Sequence, residues 1–259
     1  MQISNQDSIL EQAVRLAGEK AQVLRQQGLS ITTKGRQDFV SQADLAVEKT
    51  LKQTILALYP NDAFLGEEGG FSPAEEPEKT HGIWVIDPID GTSNYLQNMD
   101  YWCVSVAYVV QGEIQLGLIY APDRNEFFFT RKGEGSFLNG EKLSMSEPEV
   151  GQVIIGLGRS NRRPLSDYLN VLTHLDEQDV EYRRFGAGAL MLAHVACGQV
   201  HGYFEAHLNS WDALAGLLLI EQAGGKVPDF LANDGLLKGN SMWAASPKLW
   251  AQLSVDLGA

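Results

Sequence analysis

The sequence predicts a mixed α/β fold in which an α+β half precedes an α/β half. Helical patterns followed by β-rich runs occupy residues 1–146, whereas strand and helix patterns alternate over residues 147–259. No fixed-period repeat, low-complexity tract or Gly/Ser linker separates these halves. We therefore expect the two halves to pack tightly as one unit, with the N-terminal half carrying most of the chemically active residues.

Two amphipathic helices open the chain. Apolar residues recur at three- and four-residue steps from Asp7 to Gln27, which predicts a helix ending at Gly28. A second helix is predicted from Gln42 to Leu58, because Tyr59-Pro60-Asn61-Asp62 supplies a stop and a turn. The stretch from Gly69 to Thr80 has two prolines and no periodicity, so we expect an exposed loop there.

Strand patterns follow. The apolar run from Gly82 to Ile86 predicts a buried strand, and the β-rich runs Tyr101 to Val110 and Glu113 to Tyr120 predict a hairpin that turns at Gln111-Gly112. In the second half we expect strands at Val153 to Leu157, Glu181 to Phe185 and Val200 to Phe204, and helices at Asp167 to Leu175, Gly188 to Cys197 and Asp212 to Gln222.

Charge and cysteine content exclude some classes of protein. The 33 acidic and 20 basic side chains give a net charge of −13, which disfavours direct binding of nucleic acid or of an anionic membrane over a broad surface. The two cysteines, Cys103 and Cys197, form no C-x-x-C pair, so we expect neither a disulfide framework nor a thiolate zinc site. Because no signal-peptide pattern or membrane-length apolar run is present, we expect a cytoplasmic protein.

A pair of aspartates ends the predicted strand at Ile86. Asp87 and Asp90 lie three residues apart, and Pro88 keeps Asp87 extended, so a turn can point both carboxylates at one spot. Two adjacent like charges need a cation or a raised pKa, and a divalent metal is the natural partner. The alternative is that both aspartates are ordinary turn residues.

Two further acidic segments strengthen the metal hypothesis. Glu67 and Glu68 lie between glycines at the end of a short apolar stretch, although such a pair is often a solvated loop. Asp212 precedes an apolar helix, where its alternative role is a helix cap.

Together, these segments resemble the inositol monophosphatase family of metal-dependent, lithium-sensitive phosphatases. The motifs occur in the family's order: G-E-E at residues 66–68, D-P-I-D-G-T at 87–92 and W-D-x-x-A-G at 211–216. The stretch at residues 38–44 resembles the family's D-x-V-T-x-x-D, and the resemblance covers nearly the whole chain. It implies a layered αβαβα fold and a homodimer.

The resemblance also implies two to three Mg²⁺ ions, with Li⁺ as an inhibitor. Glu67, Asp87 and the Ile89 carbonyl would hold the first ion. Asp87, Asp90 and Asp212 would hold the second, and Glu67 with waters a third. All of these donors are hard oxygen atoms, which suits Mg²⁺ or Mn²⁺ rather than zinc.

The activity that the resemblance implies is hydrolysis of inositol monophosphate or a similar small polyol phosphate by direct attack of a metal-activated water. Glu67 and Thr92 would activate the water, with Asp44 hydrogen-bonded to Thr92. Helix-starting amides near Gly91 can meet the phosphate. Asp90, Gly91, Thr92, Asp212 and Lys34 are all expected to contact the substrate, with Gly91-Thr92 and Lys34 nearest the phosphate.

For the alcohol part of the substrate, the resemblance points to Gly186-Ala187-Gly188 and Glu205. The inositol-specific pattern has Gly-Thr-Ala in that turn, so the polyol preference stays open. Histidinol phosphate, fructose 1,6-bisphosphate and 3′-phosphoadenosine 5′-phosphate are alternative substrates, although D-G-T-S-N-Y at residues 90–95 resembles the inositol branch. A non-enzymatic regulatory partner role is a further alternative.

Overall fold

The computed structural model describes residues 4–28, 31–35, 38–76, 81–148 and 153–253, and only the backbone within residues 31–40. The helices are α1 (Asn5–Gln27), α2 (Gln42–Leu58), α3 (Thr92–Leu96), α4 (Leu165–Glu177), α5 (Gly188–Ala196), α6 (Ser210–Gln222), α7 (Gly235–Lys238) and α8 (Pro247–Leu253). The strands are β1 (Ile31–Gly35), β2 (Asp38–Ser41), β3 (Ala63–Gly66), β4 (Gly70–Ser72), β5 (Ile83–Asp90), β6 (Cys103–Val110), β7 (Glu113–Ala121), β8 (Glu126–Arg131), β9 (Gly135–Leu138), β10 (Glu141–Lys142), β11 (Ile154–Leu157), β12 (Glu181–Arg183), β13 (Gly202–Leu208) and β14 (Asn240–Ala245).

These strands form two main sheets. The larger has eight strands in the order β10-β9-β8-β7-β6-β5-β3-β4, antiparallel except for the parallel pair β3 and β5. The smaller has the order β12-β11-β13-β14, in which the first three strands are parallel and β14 is antiparallel. A separate ribbon pairs β1 with β2.

Helices cover both sheets and separate them. One apolar cluster packs α1 and α2 against the larger sheet. A second cluster fills the space around α5 and α6 and includes residues of both sheets. A third places α4 and α8 against the smaller sheet. The result is the layered αβαβα arrangement, which confirms the predicted fold class.

The predicted helices are largely confirmed. Helix α1 begins two residues before the predicted Asp7 and ends at Gln27, where Gly28 closes it. Helix α2 has the predicted bounds because the Ser41 hydroxyl accepts from a first-turn amide while Asp44 accepts from the Ser41 backbone. The hairpin at Gln111-Gly112 is also confirmed, with both residues at positive φ.

Other expectations needed correction. Part of the expected loop from Gly69 to Thr80 forms the short strand β4, which pairs with β3, while residues 77–80 lie outside the described chain. Strand β5 does not end at Ile86. It continues to Asp90 because a bulge between Asp87 and Asp90 lets it stay paired with β6.

The sequence patterns did not indicate β14 or α8, which complete the smaller sheet and its outer layer. The division at residues 146 and 147 stays a prediction. In the described part of the chain, no helix combines the length and the apolar character that crossing a membrane requires.

Candidate active site

Three aspartates meet between the larger sheet and α6. Asp87 and Asp90 lie within the last four residues of β5, and Asp212 lies in the first turn of α6. One carboxylate oxygen from each residue lies within 4.8 Å of the other two. Asp87 and Asp90 are buried, whereas Asp212 is half-buried. The structure therefore brings together the two aspartates of the D-P-I-D turn and the aspartate that follows Trp211.

Burial and mutual repulsion strongly perturb these carboxyls. Burial raises the pKa of Asp87 well above its usual range, and the charges of Glu67, Asp212 and Asp90 raise it further. Burial and the Asp212 charge raise the pKa of Asp90 to about 7. Burial also raises the pKa of Asp212, although hydrogen bonds from Asp87 and Asn209 oppose that shift. The site therefore holds more negative charge than its surroundings neutralise.

This donor set fits a divalent cation. Its side-chain donors are all carboxylate oxygens, the ligands that Mg²⁺ and Mn²⁺ prefer. A cation bound among them would offset the repulsion that raises their pKa values. The residues present thus match the metal that the sequence resemblance implies.

Asp90 also connects the larger sheet to α5. The Gly188 N–H donates to Asp90 Oδ1 at 3.0 Å, and the Leu190 N–H donates to Asp90 Oδ2 at 3.2 Å. These donors are first-turn amides of α5, which lack acceptors within the helix. Asp90 therefore caps a helix that follows it by nearly 100 residues and fixes the Gly186-Ala187-Gly188 turn beside the aspartates.

Glu67 lies in the turn after β3 and is half-buried. It is not part of the three-aspartate cluster in the described chain, but its charge is the second-largest cause of the raised Asp87 pKa. The turn is held by Glu48 of α2, whose carboxylate accepts from the Glu68 N–H at 2.9 Å and the Gly69 N–H at 2.8 Å. Sequence reasoning missed Glu48, because only tertiary packing places it under this turn.

Thr92 begins α3, directly after Gly91. The Thr92 hydroxyl lies 3.0 Å from the Ile89 carbonyl oxygen and 3.4 Å from Asp44 Oδ1. Gly91 has a φ of 87°, and a Cβ at this position would lie 2.9 Å from the Ala187 Cβ. Glycine is therefore required both for the turn and for its close approach to the residues before α5.

A cavity of about 200 Å³ opens beside the aspartates. Six of the residues predicted to contact substrate line it: Asp90, Gly186, Ala187, Gly188, Glu205 and Asp212. The cavity is also lined by Arg159, Arg184 and Tyr203, which sequence reasoning missed. Lys34 lies in β1, and its side chain is outside the described part of the structure.

Glu205 is the acidic group on the cavity wall away from β5. It is 8% exposed and accepts a hydrogen bond from the Tyr203 hydroxyl at 2.7 Å. Burial raises its pKa to about 8, while the Tyr203 hydrogen bond and the Arg184 charge oppose that shift. Gly158 makes room for this carboxyl, because a Cβ there would lie 1.9 Å from Glu205 Oε2.

Comparisons with known proteins agree with this architecture. The model of the inositol monophosphatase family matches residues 3–256. The Nus factor SuhB of Pseudomonas aeruginosa is 34% identical over 253 residues, which cover 95% of this chain and 93% of the relative. The inositol-1-monophosphatase of Caulobacter vibrioides is 35% identical over 237 residues, covering 89% and 91% of the two chains.

A solved structure gives the same result. The extragenic suppressor protein suhB from Bartonella henselae superposes with a TM-score of 0.90 at 32% identity and covers 98% of both chains. The family match spans nearly all of the sequence, and the relatives exceed 30% identity over most of their length. This chain therefore belongs to the inositol monophosphatase family.

Proposed function

We propose that the chain is a Mg²⁺-dependent phosphomonoesterase that hydrolyses inositol monophosphate or a similar small polyol phosphate. The observation that carries this proposal is the cluster of Asp87, Asp90 and Asp212 beside a cavity of about 200 Å³. Family membership supports it, as does the relative named inositol-1-monophosphatase.

The aspartate cluster would hold Mg²⁺, or Mn²⁺, with Glu67 and the Ile89 carbonyl as additional ligands for a set of two to three ions. When bound, the metal would lower the pKa of a water molecule and stabilise negative charge on the transferred phosphoryl group. We expect Li⁺ to inhibit by competing for the same oxygen ligands.

The chain's own groups would handle the protons around the attacking water. Glu67 supplies a carboxylate at the edge of the cluster, and Thr92 supplies a hydroxyl within reach of Asp44. The Thr92 oxygen can accept a proton from water while its own proton goes to Asp44. The oxygen–phosphorus bond to water would form as the ester phosphorus–oxygen bond breaks. The departing alkoxide would take up a proton from solvent water and Asp44 would return its proton to solvent, so that the products are the alcohol and inorganic phosphate.

The Gly186-Ala187-Gly188 turn and Glu205 would bind the alcohol part. Both lie on the cavity that Asp90 and Asp212 also line. Glu205 has a raised pKa and can donate to or accept from a substrate hydroxyl. Ala187 contributes no hydroxyl, so this turn recognises the alcohol through shape and backbone groups.

The experiment is phosphate release from inositol 1-phosphate with Mg²⁺, with EDTA, and with the Asp90→Asn variant. We expect activity only for the wild type with Mg²⁺. Because Asp90 also caps α5, circular dichroism must show that the variant is folded. The matched control is Asp229→Asn, an exposed aspartate away from the cluster. Equal rates under all three conditions would contradict the proposal.

The alternative substrates use the same chemistry. A panel containing inositol 1-phosphate, histidinol phosphate, fructose 1,6-bisphosphate and 3′-phosphoadenosine 5′-phosphate ranks them by kcat/KM. The sequence resemblance also predicts a homodimer, which sedimentation velocity tests directly.

The relative named a Nus factor supports a second candidate function, a regulatory role in a protein assembly. Such a role does not need the aspartate cluster. Co-purification of RNA polymerase with tagged wild type and with Asp90→Asn to the same extent would support it. Loss of co-purification in the folded variant, or its absence in both proteins, would argue against it.

A further inference from the structure

Two arginines line the part of the cavity formed by the smaller sheet. Strands β12, β11 and β13 are parallel, so their carboxyl ends meet at one edge. Arg184 follows the last residue of β12, Arg159 lies two residues after β11, and Glu205 lies one residue beyond the last residue of β13 that pairs with β11. The carboxyl edge of parallel strands is where such sheets bind ligands.

Neither guanidinium is held in an ion pair by a carboxylate of the described residues. Arg159 is half-buried and Arg184 is exposed, and neither forms a hydrogen bond or ion pair with another residue that the structure describes. By contrast, the other arginines whose side chains the structure describes are engaged: Arg15, Arg25, Arg124, Arg131, Arg163 and Arg183 pair with carboxylates, and Arg162 contacts His207 and Lys238.

The nearby acid, Glu205, does not cancel the positive charge of the two arginines. Glu205 accepts its hydrogen bond from Tyr203, and even as a carboxylate it would offset only one of the two arginine charges. At neutral pH the wall formed by Arg159, Arg184 and Glu205 therefore has a net positive charge. The aspartate cluster, with its cations, would already accommodate the phosphoryl group that is transferred, so this second positive region is available to another anion.

We propose that Arg159 and Arg184 form a subsite for a second anionic group, a phosphate or a carboxylate, on the alcohol part of the substrate. This inference rests on the proposed phosphatase function. Guanidinium groups bind such anions through charge-assisted hydrogen bonds. A neutral polyol would leave both charges unpaired when it filled the cavity.

Two matched pairs of substrates test the subsite. Fructose 1,6-bisphosphate is compared with fructose 1-phosphate for a second phosphate, and 3-phosphoglycerate with glycerol 3-phosphate for a carboxylate. For the wild type we expect kcat/KM to be at least about tenfold higher for the member of one pair that carries a second anionic group. Which pair shows the preference identifies the anion.

The variants are Arg159→Gln and Arg184→Gln, with Arg183→Gln as the matched control. Arg183 adjoins Arg184 but pairs with Glu181 and does not line this cavity. We expect each of the two cavity variants to lose most of the preference, chiefly through a higher KM for the substrate with two anionic groups, and to affect the substrate with one anionic group less. Arg183→Gln should retain the preference.

Several outcomes would overturn the subsite. They are a wild type without preference in either pair, variants that lose activity equally on substrates with one and with two anionic groups, and an Arg183→Gln protein with the same loss as the cavity variants. If no substrate is hydrolysed, the proposed function fails, and calorimetric binding of fructose 1,6-bisphosphate and fructose 1-phosphate then decides the subsite. A tenfold affinity difference that Arg159→Gln removes supports it, and equal affinities contradict it.

Discussion

Thr92 has one hydroxyl proton and two nearby acceptors, the Ile89 carbonyl at 3.0 Å and Asp44 Oδ1 at 3.4 Å. Only one of them can receive that proton at a time, so the hydroxyl can reorient when its surroundings change. We predict that Thr92→Val, which keeps the shape and removes the hydroxyl, lowers kcat on inositol 1-phosphate by about 100-fold or more with little change in KM. Thr92→Ser should recover most of the rate.

Steady-state kinetics with saturating Mg²⁺ checks this prediction, and thermal unfolding confirms that each variant is folded. A Thr92→Val enzyme with wild-type kcat would remove Thr92 from the proton pathway.

Glu205 should make stability depend on pH. Its pKa is raised from 4.5 to about 8 in the folded protein, so the folded state holds a proton that the unfolded state releases. This contribution to the free energy of unfolding is fully present below pH 4.5 and is lost as the pH rises to about 8. We predict that Glu205→Gln, which cannot ionise, gains stability relative to the wild type across that interval.

Urea unfolding in EDTA at pH 5, at pH 8 and at about pH 9.5 measures the effect. Tyr203→Phe removes the hydrogen bond that lowers the Glu205 pKa, so its loss of stability should extend to higher pH than that of the wild type. Parallel pH profiles for wild type and Glu205→Gln would show that Glu205 titrates normally.

At the scale of elements, α2 supports the turn that carries Glu67. Glu48 is 7% exposed, and its two oxygens accept the backbone N–H groups of Glu68 and Gly69. A Cβ at Gly66 would lie 2.3 Å from the Glu48 carboxylate, so the turn and this side chain fit closely. We predict that Glu48→Ala raises the Mg²⁺ concentration for half-maximal activity several-fold and lowers the maximal rate less, because the turn loses its acceptors.

The matched control is Gln53→Ala, on an exposed position of the same helix. Mg²⁺ titrations of phosphate release compare the three proteins. If Glu48→Ala and Gln53→Ala had the same Mg²⁺ dependence, the turn would not depend on Glu48.

Elements with local signals were predictable from the sequence. The bounds of α2 follow from the Ser41 and Asp44 capping pair and from the Tyr59-Pro60 stop. The full length of β5 does not, because its pairing with β6 beyond Asp87 depends on a bulge that only the neighbouring strand reveals. Strand β14 likewise belongs to the smaller sheet through contacts distant in sequence.

In the candidate site, too, some residues have a local sequence signal and others are recognised only from tertiary contacts. Asp87, Asp90 and Asp212 could be selected because two follow an apolar strand and one opens an apolar helix. Glu48 and Arg159 could not, since an acid within an amphipathic helix and an arginine after a short strand are ordinary surface residues by pattern. Glu48 is identified by the turn that it holds, and Arg159 by the cavity that it lines.

At the scale of the whole molecule, the aspartate cluster joins parts of the chain that are distant in sequence. Asp87 and Asp90 belong to the larger sheet, Asp212 to α6, and Asp90 also caps α5. Without a cation their repulsion opposes the packing of these elements, as the raised pKa values indicate. A ligand that binds only this folded arrangement stabilises the entire fold by mass action.

We therefore predict that Mg²⁺ at 100 times its dissociation constant stabilises the protein by about 2.7 kcal/mol, which for a chain of this size corresponds to a rise in Tm of roughly 5–10 °C. Differential scanning calorimetry with Mg²⁺ and with EDTA measures this shift. Asp212→Asn should abolish most of it while its metal-free Tm stays close to or above that of the wild type, because one repelling charge is gone. Asp229→Asn, exposed and outside the cluster, should show the full shift. An equal Mg²⁺ shift in Asp212→Asn and the wild type would place the stabilising ion away from these aspartates.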